Sequence, residues 1–348
     1  RWVWDRALFP DDEQQQRIRA VQAAMAERGL DMLIVIGNSR AHADLHYLTQ
    51  FSPLEGFAYA LVPAAGDSSL VANFGAAANR AYGKIVKVPN DGSLRELMGN
   101  SRKVGIAGFD DVQAFLADRS LAGIEGLEPA DDMMAGVRSS LRAREITALR
   151  EAARIVKEAA KAMVAAYDGG ASNSRALVAA EGVARRLGAL DFRSLYNRAP
   201  AGELMPMEGA DDVRTPALAA YLAVEYLGYW ADLGLTVGAV DRDLLARAQA
   251  GLQAMRQQVR AGAAAADIAS AAVTSLGSEQ APVAVRYGLG NAVGLHPQLA
   301  PYIEPASQGL LAKNMALSLR VQLVTTASRV LVSDLLLVGD QGGESLLG

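Results

Sequence analysis

The stretch from Leu218 to Gly238, LAAYLAVEYLGYWADLGLTVG, constrains the fold more than any other part of the chain. Two alternating runs rich in Leu, Val, Tyr and Trp flank a short non-alternating step, the pattern of a β-hairpin. A tight turn at Tyr226-Leu227, with Gly228 following where positive φ is useful, makes Glu225 face Gly228 and Tyr221 face Asp232. Side chains directly opposite on one face lie about 5 Å apart at Cβ. Tyr221 and Asp232 are therefore expected to project together into whatever that face lines.

The hairpin sits inside a longer helical and strand-bearing segment, and the chain before it reads differently. Asp11-Asp12 precede a helical pattern (Ile18, Val21, Met25) that stops at Gly29, and Asp31-MLIVI then reads as a buried strand. Strand-like runs at Phe57–Val62, Ser69–Val71, Ile85–Val88 and Val104–Ile106 alternate with helical stretches near Asp111–Leu116 and Asp131–Val137. From Ser139 long helices take over, one reaching about Tyr167 and another running from Asn173 or Ser174 to Leu187. After the hairpin come helices at about Asp241–Ala261 and Ala265–Leu276, then alternating strands at Ala316–Val324 and Arg329–Val338. The reading is a mixed α/β (α+β) chain of two domains, 1–137 and 138–348.

Composition narrows the functions open to it. The net charge of −4 over 348 residues gives no basic footprint, which excludes nucleic acid as the expected partner. With no cysteine there is no disulfide, thiolate metal site or Cys nucleophile, and the chain suits a reducing cytoplasm. Apolar stretches such as Met32 to Ile36 fall far short of the roughly 20 residues a membrane helix needs, and the opening RWVWDRALFP has no apolar signal segment. The only histidines are His42, His46 and His296, so a His-rich mechanism is not available.

Gly228-Tyr229, Asp232 and Thr236 resemble the site-forming hairpin of the pita-bread superfamily of creatinase, prolidase, aminopeptidase P and methionine aminopeptidase. Arg144-Glu-Ile and Leu149-Arg-Glu-Ala-Ala resemble the first helix of that family's catalytic domain, and Tyr47-Leu-Thr-Gln-Phe resembles a Tyr-Leu-Thr-Gly-Phe segment of its N-terminal domain. Tyr287-Gly-Leu-Gly-Asn-Ala-Val-Gly-Leu is similar to the family's His-Gly-x-Gly-His-Gly-Ile-Gly-Leu, Asn314-Met-Ala-Leu-Ser-Leu-Arg to Gly-Met-Val-Phe-Thr-Ile-Glu, and Val330-Leu-Val-Ser-Asp to the last strand. The resemblance implies a creatinase-like N-terminal α/β domain followed by a pita-bread domain. It also implies a homodimer in which the region His42–Phe51 reaches the neighbour's pocket, with His42 and His46 at substrate.

The departures fall on the chemistry. Among the family's metal-ligand positions only Asp232 keeps its type, while Tyr221, Asn291, Arg320 and Ser333 hold the others. Divalent ions need several anionic oxygens or imidazoles converging. A unit charge pair at about 4 Å and an effective dielectric near 20 is worth about 4 kcal/mol, so Arg320 would repel a divalent ion by about twice that. The expectation is no metal and no other cofactor, with Arg320 folding toward Asp232 and holding it ionised. The substituted residues are polar, whereas decay in a buried pocket more cheaply admits apolar ones, because an unpaired buried polar group costs about 1–3 kcal/mol.

The function expected is that of a metal-independent, creatinase-like enzyme acting on a small carboxylate-bearing nitrogen compound by C–N hydrolysis, elimination or rearrangement. Arg320 binds the carboxylate through its planar fork. Asp232, Tyr221 and His296 move protons, and Asn291, Tyr287, Ser333 and Glu208 contact substrate. His296 lies close to, but not on, the family's second histidine position, which Gln298 occupies, and a structural role at a strand end is its other reading. Glu203 lies close to Glu208 in the same Gly- and Pro-punctuated loop. Two alternatives stand beside this function: a non-catalytic pita-bread protein that binds a peptide or partner, and an Xaa-Pro-type metallopeptidase.

Overall fold

The computed structural model describes residues 4–53, 55–72, 81–82, 84–86, 94–109 and 121–348, and these fall into two compact units, Arg1–Ser139 and Ser140–Gly348. The helix expected near Asp111–Leu116 and the end of the strand expected at Ile85–Val88 lie outside the described residues.

In the first unit, helix α1 (Asp11–Arg28) buries Ile18, Val21 and Met25 at helical spacing and ends at Gly29, whose φ of 65° a residue with a Cβ adopts only with strain. Strand β1 (Met32–Asn38) follows and pairs antiparallel with β2 (Phe57–Pro63) and parallel with β5 (Val104–Ala107). Adding β3 (Ser69–Val71), β4 (Lys84–Val86) and β6 (Leu127–Pro129) completes a six-stranded sheet of order β4-β3-β2-β1-β5-β6. Because β1 is buried on both faces it reads as a continuous apolar run rather than an alternating one. His42 immediately precedes the first turn of helix α2 (Ala43–Thr49), and His46 lies within that helix. Helix α3 (Asp131–Arg138) closes the unit.

In the second unit, α4 (Ala143–Asp168) buries Leu149, Ala152, Ile155, Val156, Ala159 and Met163 along one stripe. It is followed by α5 (Asn173–Arg186), whose first turn is capped by the Ser172 hydroxyl. Strands β7 (Asp191–Asn197), β8 (Leu204–Pro206), β9 (Ala217–Tyr226) and β10 (Tyr229–Gly238) form a sheet of order β10-β9-β7-β8. Helix α6 (Arg242–Arg256) stops short of the expected Ala261. The helical run α7 (Ala265–Tyr287) breaks at Gly277, φ 71°, so only its first part coincides with the expected Ala265–Leu276. The second sheet, β12-β11-β13-β14-β15, is built from β11 (Gly290–Val293), β12 (Leu299–Tyr302), β13 (Ala316–Val324), β14 (Arg329–Val338) and β15 (Gly343–Ser345). Apolar residues of α6 and α7 share one core with Leu317, Leu319, Val321 and Leu323 of β13.

The hairpin forms, but its turn lies one residue later than expected. Leu227 and Gly228 both have positive φ, at 49° and 90°, as a two-residue type I′ loop demands, so glycine sits inside the turn rather than after it. Tyr229 then faces Tyr226, Asp232 faces Ala223 and Tyr221 faces Gly234. Hydrogen bonds from Gly234 N to Ser333 Oγ at 2.6 Å and from Leu331 N to Thr236 Oγ1 at 2.8 Å tie β10 to β14. Among the described residues, no helix is long and apolar enough to cross a membrane.

Candidate functional site

Strand alternation decides what this surface offers. On β13, Ser318, Arg320 and Gln322 share one face, Arg320 stands opposite Ser333 of β14, and Ser318 stands opposite Asn291 of β11. On the hairpin, Asp232, Gly234 and Tyr221 share a face by the same rule. A cavity of about 270 Å³ opens here, and its polar lining comes from Glu203, Tyr221, Tyr287, Gln298, Arg320 and Gln322, with Leu331 among the apolar walls.

Asp232 lies behind Tyr221, only 3% exposed. Its Oδ2 accepts from the Tyr221 hydroxyl at 2.8 Å and from Ser318 Oγ at 2.9 Å, while Oδ1 has no hydrogen-bond partner among the described residues. Arg320 does not pair with it. Its Nη2 donates to Asn291 Oδ1 at 3.0 Å, and Asn291 is fixed in turn by donating from Nδ2 to the carbonyls of Ala292 and Pro297. The expected Asp232–Arg320 ion pair, and with it an Asp232 held firmly ionised, is therefore corrected. Burial raises the Asp232 pKa above the ordinary carboxylate value, and the nearby Arg320 charge and the two hydroxyl donors only partly oppose this. Burial, followed by the Asp232 charge, holds the Tyr221 hydroxyl well above the usual phenol value.

The other expected site residues divide. Tyr287 lines the cavity and donates to Glu203 Oε1 at 2.8 Å. Asn291 is fully buried and acts on Arg320 rather than on the cavity. The Ser333 hydroxyl is taken by the Gly234 amide, so it joins strands instead of lining the cavity. His296 sits on the turn after β11, its Nδ1 2.8 Å from the Gln298 carbonyl, and it is Gln298 that reaches the cavity. Glu208 is exposed on its loop and does not line the cavity either. His42 and His46 belong to the first unit, where Nδ1 of His42 lies 3.1 Å from the Asn38 carbonyl and Nδ1 of His46 lies 2.9 Å from Ser52 Oγ.

Sequence reasoning assigned no role to Ser318, Gln322, Glu203, Gln298 or Arg329. The first two follow from alternation around Arg320. Arg329 is 1% exposed, stacks 4.9 Å from the Tyr287 ring centre and pairs with Glu203 Oε2 at 3.1 Å, a contact between distant segments that no local pattern announces.

The residues at the site do not suit a divalent metal. Asp232 Oδ2 is already engaged by two hydroxyl donors, the cavity's other carboxylate, Glu203, is held by Tyr287 and Arg329, the Asn291 oxygen is capped by a guanidinium, and Ser333 is committed to an amide. Among the described residues no group of three or more His, Cys, Asp and Glu is placed to hold a metal ion.

The fold is that of the pita-bread dipeptidases. A prolidase from Pyrococcus horikoshii superposes with a TM-score of 0.80 at 16% identity, over 96% of this chain and 98% of that one. Dipeptidase PepE from Mycobacterium ulcerans gives 0.79 at 18% identity, over 99% and 97%. The N-terminal domain of the FACT complex subunit SPT16 from chickpea gives 0.74 at 13%, over 97% and 96%. A comparison with curated protein sequences finds no match. Residues 147–340 match the model of metallopeptidase family M24, and residues 17–139 match the creatinase/prolidase N-terminal domain. The chain belongs to metallopeptidase family M24 and carries a creatinase-type N-terminal domain ahead of its pita-bread domain.

Proposed function

We propose that this member of the family works without a metal, as an enzyme acting on a small carboxylate-bearing nitrogen compound. The observation that carries the reading is Arg320. It takes an anionic ligand's place, lines the cavity, and is steadied by Asn291 through only one of its five N–H donors. A cavity of about 270 Å³ suits a ligand of few heavy atoms.

Tyr221 and Asp232 supply the proton chemistry. Tyr221 faces the cavity and stays neutral, and behind it Asp232, its pKa raised by burial, accepts a hydrogen bond from the Tyr221 hydroxyl. As a C–N bond breaks, the Tyr221 hydroxyl turns from Asp232 Oδ2 and gives its proton to the departing nitrogen, and solvent returns a proton to the tyrosinate, a step common to hydrolysis and elimination. The proposal includes a cytoplasmic homodimer in which the region of His42 and His46 approaches the partner's pocket. Light scattering that finds a monomer at micromolar concentration counts against that part. Calorimetry with a panel of small nitrogen-containing carboxylates tests the core: binding to the wild type that is lost in Arg320→Met is expected, and equal binding to both sinks the reading.

The family match over residues 147–340 favours a second reading, an Xaa-Pro-type metallopeptidase, which metal-dependent cleavage of Xaa-Pro dipeptides by the purified protein would support. The deep burial of Asp232 favours a third, a non-catalytic binder of a peptide or partner. Ligand binding without turnover of any bound compound would support that one.

A further inference from the structure

Behind β10 and β14, on the face opposite Asp232, a groove of about 910 Å³ lies between α4 and α6. Strand alternation turns Leu233 and Leu235 of β10, and Val332 and Asp334 of β14, to this side. On α4 the lining residues Lys157, Ala160, Lys161 and Val164 form one stripe at helical spacing, and on α6 the stripe runs from Leu245 to Arg256. The apolar floor is not closed over, since Val164, Leu233, Leu235, Leu245 and Val332 are all only partly buried.

The groove is polarised along its length. Arg256 Nη1 lies 3.1 Å from Asp334 Oδ2, Ser345 Oγ donates to Asp334 Oδ1 at 2.7 Å, Gly348 N donates to Ser345 Oγ at 3.0 Å, and Lys157 Nζ donates to the Gly348 carbonyl at 2.9 Å. That chain of contacts gathers Lys157 and Arg256 at one end. Val164 lies two turns further along α4, about 10 Å, and Leu245 three turns back along α6, about 16 Å, so the opposite end is apolar on both walls. Three lining cations, Lys157, Lys161 and Arg256, stand against one lining carboxylate side chain, Asp334, which is 4% exposed and whose Oδ2 makes no directed hydrogen bond among the described residues. Lys161 also reaches Glu158 at 2.8 Å, a pair on the exposed rim that holds little energy. An ammonium carries three donors and a guanidinium five, so most of these donors stay free for an incoming anion.

We propose that this groove is a second binding site, for a medium-chain fatty-acid anion: the carboxylate on Lys157, Lys161 and Arg256, the alkyl chain over Leu233 and Val332 toward Val164 and Leu245. The volume falls within the range of small-molecule sites, and the apolar run of roughly 10–16 Å sets the length of chain that fits. The site is separate from the cavity that Arg320 lines and does not depend on what that cavity binds.

The test titrates octanoate, octanol and octylammonium by calorimetry into the wild-type protein, each below its micelle or solubility limit. Octanoate is expected to bind one to one and at least about tenfold tighter than either of the others, and to slow hydrogen exchange in the lining segments 157–164 and 245–256. Replacing both Lys157→Gln and Lys161→Gln should remove the preference and leave octanol binding unchanged, while Lys157→Arg with Lys161→Arg keeps it. Arg256 is left in place, so buried Asp334 retains its counterion and the fold is not put at risk. No octanoate binding at millimolar concentration, equal affinity for octanoate and octanol, a preference that survives the double Gln variant, or protection absent from both segments overturns the proposal. So does loss of octanoate binding in Arg320→Met, which would put the ligand in the other cavity.

Discussion

Tyr221 and Asp232 are not cross-strand partners, yet the Tyr221 hydroxyl donates to Asp232 Oδ2 at 2.8 Å. Tyr221 stands opposite Gly234 and Asp232 opposite Ala223, so the bond runs diagonally across the hairpin, a span of about 7–8 Å that a phenol can cover. Gly234, with no side chain, leaves that path open. The result is a buried carboxylate hydrogen-bonded by two hydroxyls, with the Arg320 charge nearby but not paired to it.

Removing one of those hydroxyls should be felt in stability. Tyr221→Phe leaves Asp232 Oδ2 with Ser318 alone. A loss of about 1–3 kcal/mol is expected in urea denaturation at neutral pH. An unchanged midpoint and slope would mean that the bond contributes nothing.

The raised pKa of Asp232 sets the sign of a pH effect. The folded carboxyl keeps its proton to higher pH than in the unfolded chain, where the value is near 3.9. Its contribution to stability is therefore full below that unfolded value and is lost as pH rises through the higher folded value. Asp232→Asn cannot ionise, so its stability relative to wild type should climb as pH rises from about 4 through the folded carboxyl's higher value. Denaturation curves that show the variant losing ground over that range would reverse the assignment.

Gly234→Ala probes the space beneath the cavity. A Cβ there would meet the Leu331 Cγ and Cδ2 atoms at 2.8 Å, and Leu331 lines the cavity. Overpacking of this kind costs about 1–3 kcal/mol. Reduced thermal stability together with weakened ligand binding is the expected outcome, and a variant indistinguishable from wild type in both would show that Leu331 yields freely.

How much of this was legible beforehand depended on whether a feature was local. Long helices and alternating strands were, because periodicity is written into consecutive residues, and α1, β1, β9, β10, β13 and β14 all formed where expected. The hairpin's turn was misplaced by one residue, but such a displacement shifts cross-strand pairing by two positions, which preserves the face. Tyr221 and Asp232 therefore still met. The Asp232–Arg320 pair failed for a different reason: residues at equivalent family positions need not touch, and Asn291, from a third strand, captured the guanidinium first. Glu203 with Arg329, and the commitment of Ser333 to the Gly234 amide, depend on segments far apart in the chain and leave no pattern in either one.

Arg320→Lys separates anchor from filler. Lysine keeps the charge but not the planar fork, so binding of a carboxylate ligand should weaken at least about tenfold, or about 1.4 kcal/mol. The fold should persist, since Arg320 is only partly buried and makes one side-chain hydrogen bond. Wild-type affinity in this variant would remove Arg320 from the site.

The account stands most directly on the claim that this site has exchanged a metal for an arginine. Elemental analysis of the purified protein, after incubation with Mn, Fe, Co and Zn salts and removal of free ion, measures it. The account predicts no stoichiometric transition metal in the wild type and no change in Asp232→Ala. One or two ions per chain, lost in Asp232→Ala, would contradict it and return the protein to the metal-dependent chemistry of its family.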